Sequence, residues 1–172
     1  MLLTMRITSM KRASICFFTA LMILPLGAMA QSRTPPPDQL TKDTVDVKHV
    51  MSAYHEAIAT HDGARLASLF IPQGSTWLNV LSDKAFTRLR TTKPGIPKIK
   101  VGNYQDFAKI VSQSTRHMDP EHQHVRIQSD GTIASVYFDY VFMIDGKPEN
   151  RGSETWTLVK GDDGWRIATI IY

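Results

Sequence analysis

Residues 152–172, GSETWTLVKGDDGWRIATIIY, decide how the chain is read. Two runs alternate in polarity on either side of the turn GDDG. That period of two marks strands, and Asp-Gly chemistry marks the hairpin between them. The first run places an acid, Glu154, two residues from Trp156. On a strand, that spacing puts both side chains on one face.

Upstream the same period persists. Four strands are predicted past Pro120: residues 121–129, 132–144, 151–160 and 165–172, joined by the turns SDGT, DGKPEN and GDDG. Before Pro120 the spacing is helical. Val47, Val50, Met51, Tyr54 and Ile58 lie on one face of a helix over residues 44–61, with Asp43 or Thr44 as its cap. Asp62 can cap a second short helix that carries Leu66, Leu69 and Phe70 and stops at Pro72. STWLNVLS reads as a strand and AFTRLR as another. TTKPGIPKIKVGN reads as a loop or irregular edge, with a solvated or lid-forming basic segment at Lys93, Lys98 and Lys100. Asn103 can cap a third helix with Phe107, Ala108 and Val111 inward. Helices followed by a long meander make an α+β domain.

The first thirty residues carry a different signal. Arg6, Lys11 and Arg12 precede the apolar stretch ICFFTALMILPLG, and AMA ends at Ala30. A basic start, a short apolar core and a small-x-small site read as a secretory signal peptide. Translation starts at Met1 or at Met10. The expectation is export across an inner membrane to the periplasm, with no membrane association after cleavage. Cys16, the single cysteine, falls inside that segment, so the mature chain forms no disulfide. Residues 31–43 contain three consecutive prolines and read as a disordered spacer, which leaves 44–172 as one domain. The whole chain carries a formal charge of +4. Removing residues 1–30 removes three of its basic residues and no acid, leaving +1. A chain this balanced has no electrostatic footprint for nucleic acid.

The order helix, HDGARLASLF, strand, helix, meander and closing DGWRI resembles the nuclear transport factor 2-like superfamily, in particular secreted bacterial members related to polyketide cyclases and ketosteroid isomerase. The resemblance covers residues 44–172. It implies N-terminal helices packed in a strongly curved antiparallel sheet, a cone-shaped, cystatin-like roll, often with an internal pocket and often paired as a homodimer.

Hairpin arithmetic then assigns faces. A two- or four-residue loop at Asp145 matches odd positions to even ones. That puts Tyr137 and Asp139 on one face with Glu154 and Trp156, and Val136, Phe138, Tyr140 and Phe142 on the other. A two-residue Asp130-Gly131 turn adds His122 and His124 to the Asp139 face; a three-residue turn adds Gln123 and Val125 instead. A three-residue turn at Asp162-Asp163-Gly164 adds Arg166 and Tyr172. The mixed face suits a pocket wall, and the apolar, threonine-bearing face suits pairing of two sheets.

Three functions follow from that assignment. The first is a domain that binds a small, partly apolar ligand, with Trp156, His124, Trp77, Tyr54 and Phe107 in contact with it. The second is an isomerase or lyase moving a proton on a carbonyl compound, with Asp139 as base and Tyr137 or Glu154 as acid, because a carboxyl in an apolar pocket is raised toward neutrality. The third is a structural or partner-binding module whose pocket is filled by its own side chains. No cofactor is expected, since no phosphate loop, nucleophile elbow or dinucleotide fingerprint is present. No metal is expected either: His117, His122 and His124 lack zinc-ligand spacing, and His49, His55 and His61, six apart, do not share a helix face.

Overall fold

The computed structural model describes residues 37–172, and the side chains from Leu40 onward. The signal peptide and residues 31–36 of the spacer expected from the sequence lie outside the described residues, whereas residues 37–43, expected to be disordered, are helical. Helix α1 spans Pro37–Ala59, α2 Gly63–Ser68, α3 Asp83–Thr92 and α4 Tyr104–Gln113. Strands are β1 (Thr76–Val80), β2 (Ile99–Gly102), β3 (Met118–Ser129), β4 (Ile133–Ile144), β5 (Lys147–Gly161) and β6 (Gly164–Ile171). They form one curved, unclosed sheet in the order β2-β1-β6-β5-β4-β3. All neighbours are antiparallel except β1 and β6, which run parallel.

Helix α1 begins seven residues before the expected start at Thr44. Proline is tolerated in a first helical turn, where its missing N–H has no partner to lose. Asp43 is therefore not a cap. It is fully buried, and Lys160 Nζ on β5 lies 2.8 Å from its Oδ1. Val47, Met51, Tyr54, Ala57 and Ile58 form the buried stripe of α1. The other two predicted caps stand: Asp62 Oδ1 accepts from Arg65 N at 2.8 Å and Asn103 Oδ1 from Asp106 N at 2.7 Å. AFTRLR is not a strand. Ser82 caps it as α3, and Phe86 and Leu89, three apart, share a helix side. The KPGIPKIK region supplies the short edge strand β2.

Each long hairpin carries a register shift. Beyond the two-residue Asp145-Gly146 turn, with φ of 52° and 73°, Met143 faces Pro148 but Phe142 faces Asn150, so Glu149 is an extra residue. Between β3 and β4, Gln123 faces Asp139 while Arg126 faces Tyr137. Between β5 and β6, Leu158 faces Ile167 while Thr157 faces Thr169. One extra residue reverses which side chains share a face, and it bends and twists the strand.

The core fills the concave side with Ala134, Val136, Phe138, Trp156, Leu158, Ile167 and Ile170 against the α1 stripe. Helices α2 and α4 meet at Gly63. A Cβ there would fall 2.1 Å from Ala108 O and 2.1 Å from Ser112 Oγ. Among the described residues no helix is long and apolar enough to cross a membrane.

The Ser112 hydroxyl could rotate away, but Ala108 O is backbone and cannot yield locally. Gly63→Ala is expected to destabilise the protein by about 1–3 kcal/mol, read as a lower urea midpoint with an unchanged slope.

Candidate functional site

Glu154 and Trp156 stand on the concave face of β5, between Val136, Phe138 and Tyr140 of β4 and Ile170 and Tyr172 of the β6 segment. The bulge at Glu149 places them there. It also moves Tyr137 and Asp139 to the convex face, opposite Thr155 and Ser153. The expected grouping of Tyr137, Asp139, Glu154 and Trp156 on one face is thus corrected. The two-residue loop has the predicted parity, but the extra residue beyond it reverses the outcome. Tyr137 is exposed and lies under the Arg126 guanidinium at 5.2 Å. Asp139 is an exposed carboxylate held below its ordinary pKa by hydrogen bonds from His124 and Ser153, and so unsuited to act as a base near neutrality.

The β3 bulge separates the two histidines of HQH in the same way. His122 faces inward with Tyr140. His124, at φ 52°, turns outward and donates through Nδ1 to Asp139 Oδ2 at 3.0 Å. His124 therefore does not contact the interior. Arg166 pairs with Val159 on the convex side, whereas Tyr172 reaches the interior as expected.

A cavity of about 120 Å³ opens inside the cone. Tyr54 from α1, Trp77 from β1, Phe107 from α4, His122, Tyr140, Phe142, Asn150, Glu154 and Tyr172 line it, with Pro120. Tyr54, Trp77, Phe107 and Glu154 were legible from the sequence. His122 was reached only under one of two alternative turns, and Tyr140, Phe142 and Asn150 were not reached, because their face depends on a bulge. Trp156 is fully buried behind the wall instead of lining it. Its Nε1 donates to Glu154 Oε1 at 2.5 Å, and its ring meets Tyr54 edge-on at 4.8 Å. Trp156 thus fixes the carboxyl and the phenol together.

The polar groups of the cavity are largely unspent. Among the described residues the hydroxyls of Tyr54 and Tyr140 and the ring nitrogens of His122 make no hydrogen bond, and Glu154 engages only Oε1. Burial pushes the Glu154 pKa up to about 7; the bond from Trp156 opposes this only in part. Burial and then the Glu154 charge hold both tyrosines well above their ordinary value, so they remain O–H donors. Burial lowers His122 to about 4, leaving it neutral at pH 7. On the far side of His122, His55 donates through Nδ1 to Pro120 O at 3.1 Å, and its Nε2 lies 3.4 Å from Asp119. No cluster of three or more His, Cys, Asp or Glu positioned for a metal ion occurs among the described residues.

Comparison with solved structures finds the same architecture. A Streptomyces avermitilis protein of the NTF2-like family, provisionally assigned as a dehydratase, matches at 18% identity with a TM-score of 0.55, over 76% of this chain and 94% of that one. A Novosphingobium aromaticivorans NTF2-like protein with a cystatin-like fold matches at 13% and 0.56, over 76% and 80%. A second protein from that organism, provisionally assigned as a scytalone dehydratase, matches at 15% and 0.53, over 78% and 85%. The chain has the NTF2-like, cystatin-like fold, as its sequence resemblance implied. No family model matches the chain, and no curated protein matches it.

The two shifted groups on the wall act on stability in opposite directions. Glu154, raised from 4.5 to about 7, favours the folded state at low pH and loses that contribution as pH rises toward 7. His122, lowered from 6.5 to about 4, contributes above 6.5 and loses it as pH falls toward 4. Each is worth up to about 3 kcal/mol. Their slopes nearly cancel between pH 4.5 and 6.5. Denaturant titrations should therefore show Glu154→Gln gaining stability with rising pH across this window and His122→Asn losing it, while the unaltered protein stays nearly flat.

Proposed function

We propose that the domain binds a small, ring-sized, partly apolar molecule carrying a carbonyl or hydroxyl group, with Glu154 orienting that group. The observation that carries this reading is a buried carboxyl with a pKa near 7 on the wall of an aromatic cavity, beside two unspent phenols. A cavity of about 120 Å³ compares with the ~150 Å³ apolar cavity that accepts benzene, so one six-membered ring suits it. Protonated Glu154 and the hydroxyls of Tyr54 and Tyr140 would donate to a carbonyl; ionised Glu154 would accept from a hydroxyl.

The same carboxyl favours a second reading, proton transfer next to a carbonyl. A group that titrates near neutrality can take up and return a proton efficiently. The structural likeness to proteins provisionally assigned as dehydratases is consistent with it. In this reading Glu154 is the base and Tyr54 or Tyr140 the donor to the developing oxyanion, in place of Asp139 and Tyr137.

The setting we propose is the periplasm, on the strength of the basic and apolar pattern before Ala30. We also propose a homodimer. Val125, Ile133, Tyr137 and Ile171 leave exposed apolar surface on the domain, which supports pairing. A dimer mass in native mass spectrometry is the expected outcome.

Acetophenone tests both readings of the cavity. It should bind at pH 6 and weaken several-fold by pH 8 as Glu154 loses its proton, and Glu154→Gln should remove that dependence. Absence of binding at either pH would overturn the assignment. Proton transfer predicts protein-dependent exchange of the acetophenone methyl hydrogens in deuterated water, lost in Glu154→Gln.

A further inference from the structure

Trp77 and Tyr172, joined by a hydrogen bond from the indole Nε1 to the phenol oxygen at 3.2 Å, form one side of the cavity. Those two residues and Asn150 also line a second hollow, of about 310 Å³, completed by Asn79, Lys100 and Gly102. The β1–β2 register explains the arrangement. Trp77 faces Gly102 and Asn79 faces Lys100, so all four lie on the side of the β1–β2 pair that bears Trp77. Gly102 leaves the hollow open beside the indole; a Cβ there would fall 3.1 Å from Trp77 Cδ1. The interior is therefore largely aromatic, and the hollow on the other side of Trp77 and Tyr172, toward the sheet edge, is polar.

The charges of this outer hollow have one sign. Lys100 is the only charged residue lining it. Lys98, two residues earlier on the same strand, is ion-paired with Asp83, but among the described residues Lys100 makes no ion pair. Among the described residues the Asn79 side chain makes no hydrogen bond, and the Asn150 side chain is engaged only by its oxygen, from Arg151 N at 2.9 Å. One ammonium and two amide N–H₂ groups thus line a hollow that shares Trp77, Tyr172 and Asn150 with the aromatic chamber. That set matches a carboxylate: cation for the charge, amides for the remaining lone pairs.

We infer that cavity and outer hollow form one two-part site for an amphiphilic acid, whose ring enters the aromatic chamber while its carboxylate meets Lys100 at the rim. The inference rests on the proposed ligand-binding role of the cavity and adds the class and orientation of the ligand. The acid end stays outward, away from Glu154, where two negative charges would repel at neutral pH.

The test uses two probes that differ only in their polar end, 3-phenylpropanoate and 3-phenylpropan-1-ol, titrated calorimetrically into the purified full-length protein at pH 8 and low salt. The expected result is propanoate binding about fivefold tighter than the alcohol, in keeping with a solvent-accessible ion pair. Added salt should erase the difference. Lys100→Gln should remove the preference by weakening propanoate binding toward that of the alcohol, and Lys100→Arg should retain it. Lys100 is exposed on an edge strand, so these variants are expected to fold. Equal affinities for the two probes, or a preference that survives in Lys100→Gln, would overturn the two-part site while leaving the cavity assignment standing. Failure of both probes to bind would overturn both.

Discussion

A β-bulge leaves one residue without a partner in the ladder and bends the strand that carries it. Three of them, between Gln123 and Arg126, at Glu149, and between Ile167 and Thr169, shape this protein. They curve the meander around α1, and they choose which residues face inward. Without the extra Glu149, Glu154 and Trp156 would point to the convex side, and the cavity would lose its carboxyl. Curvature and chemistry therefore come from the same local irregularities. The interior can be apolar enough to shift a carboxyl and a histidine in opposite senses because the bent sheet, α1 and α4 enclose it together.

Within that enclosure, the Glu154–Trp156 pair works as a unit. Burying a carboxyl without partners is costly, and burying it against an indole N–H offsets part of that cost. The remaining cost appears as a pKa near 7 rather than as unfolding. The indole in turn packs edge-on against Tyr54 and Phe138. Rotating Glu154 away would leave the indole N–H buried without an acceptor, so the carboxyl stays where the cavity needs it.

Much of the architecture was legible in the residues. Periodicity separated helices from strands, Asp62 and Asn103 announced two helix starts, and Asp145-Gly146 announced its turn. These are local signals, set within a few residues of backbone. The site was legible only in part. Tyr54, Trp77, Phe107 and Glu154 could be found as large or acidic residues on inward stripes. Tyr140 and Phe142 could not, because their face depends on where an extra residue sits in a long strand. KPEN and QHV carry no glycine to mark the shift. The same parity error carried Asp139, Tyr137 and His124 into the expected site. AFTRLR misled for another reason: six residues fit both periods, and Ser82 just before them held the deciding cap.

The parallel pairing of β1 with β6 bears on how the molecule comes into being. Leu78 finds its ladder partner in Ile171, and Trp77 its hydrogen-bond acceptor in Tyr172, 95 residues along the chain. Contacts between such distant segments form slowly, because a long loop must close first. A chain emerging from its N-terminus can build α1, α2 and the β3–β4 hairpin early, but the chamber gains its Trp77 side only when the last strand arrives. Until then its aromatic lining is open to water and to other chains.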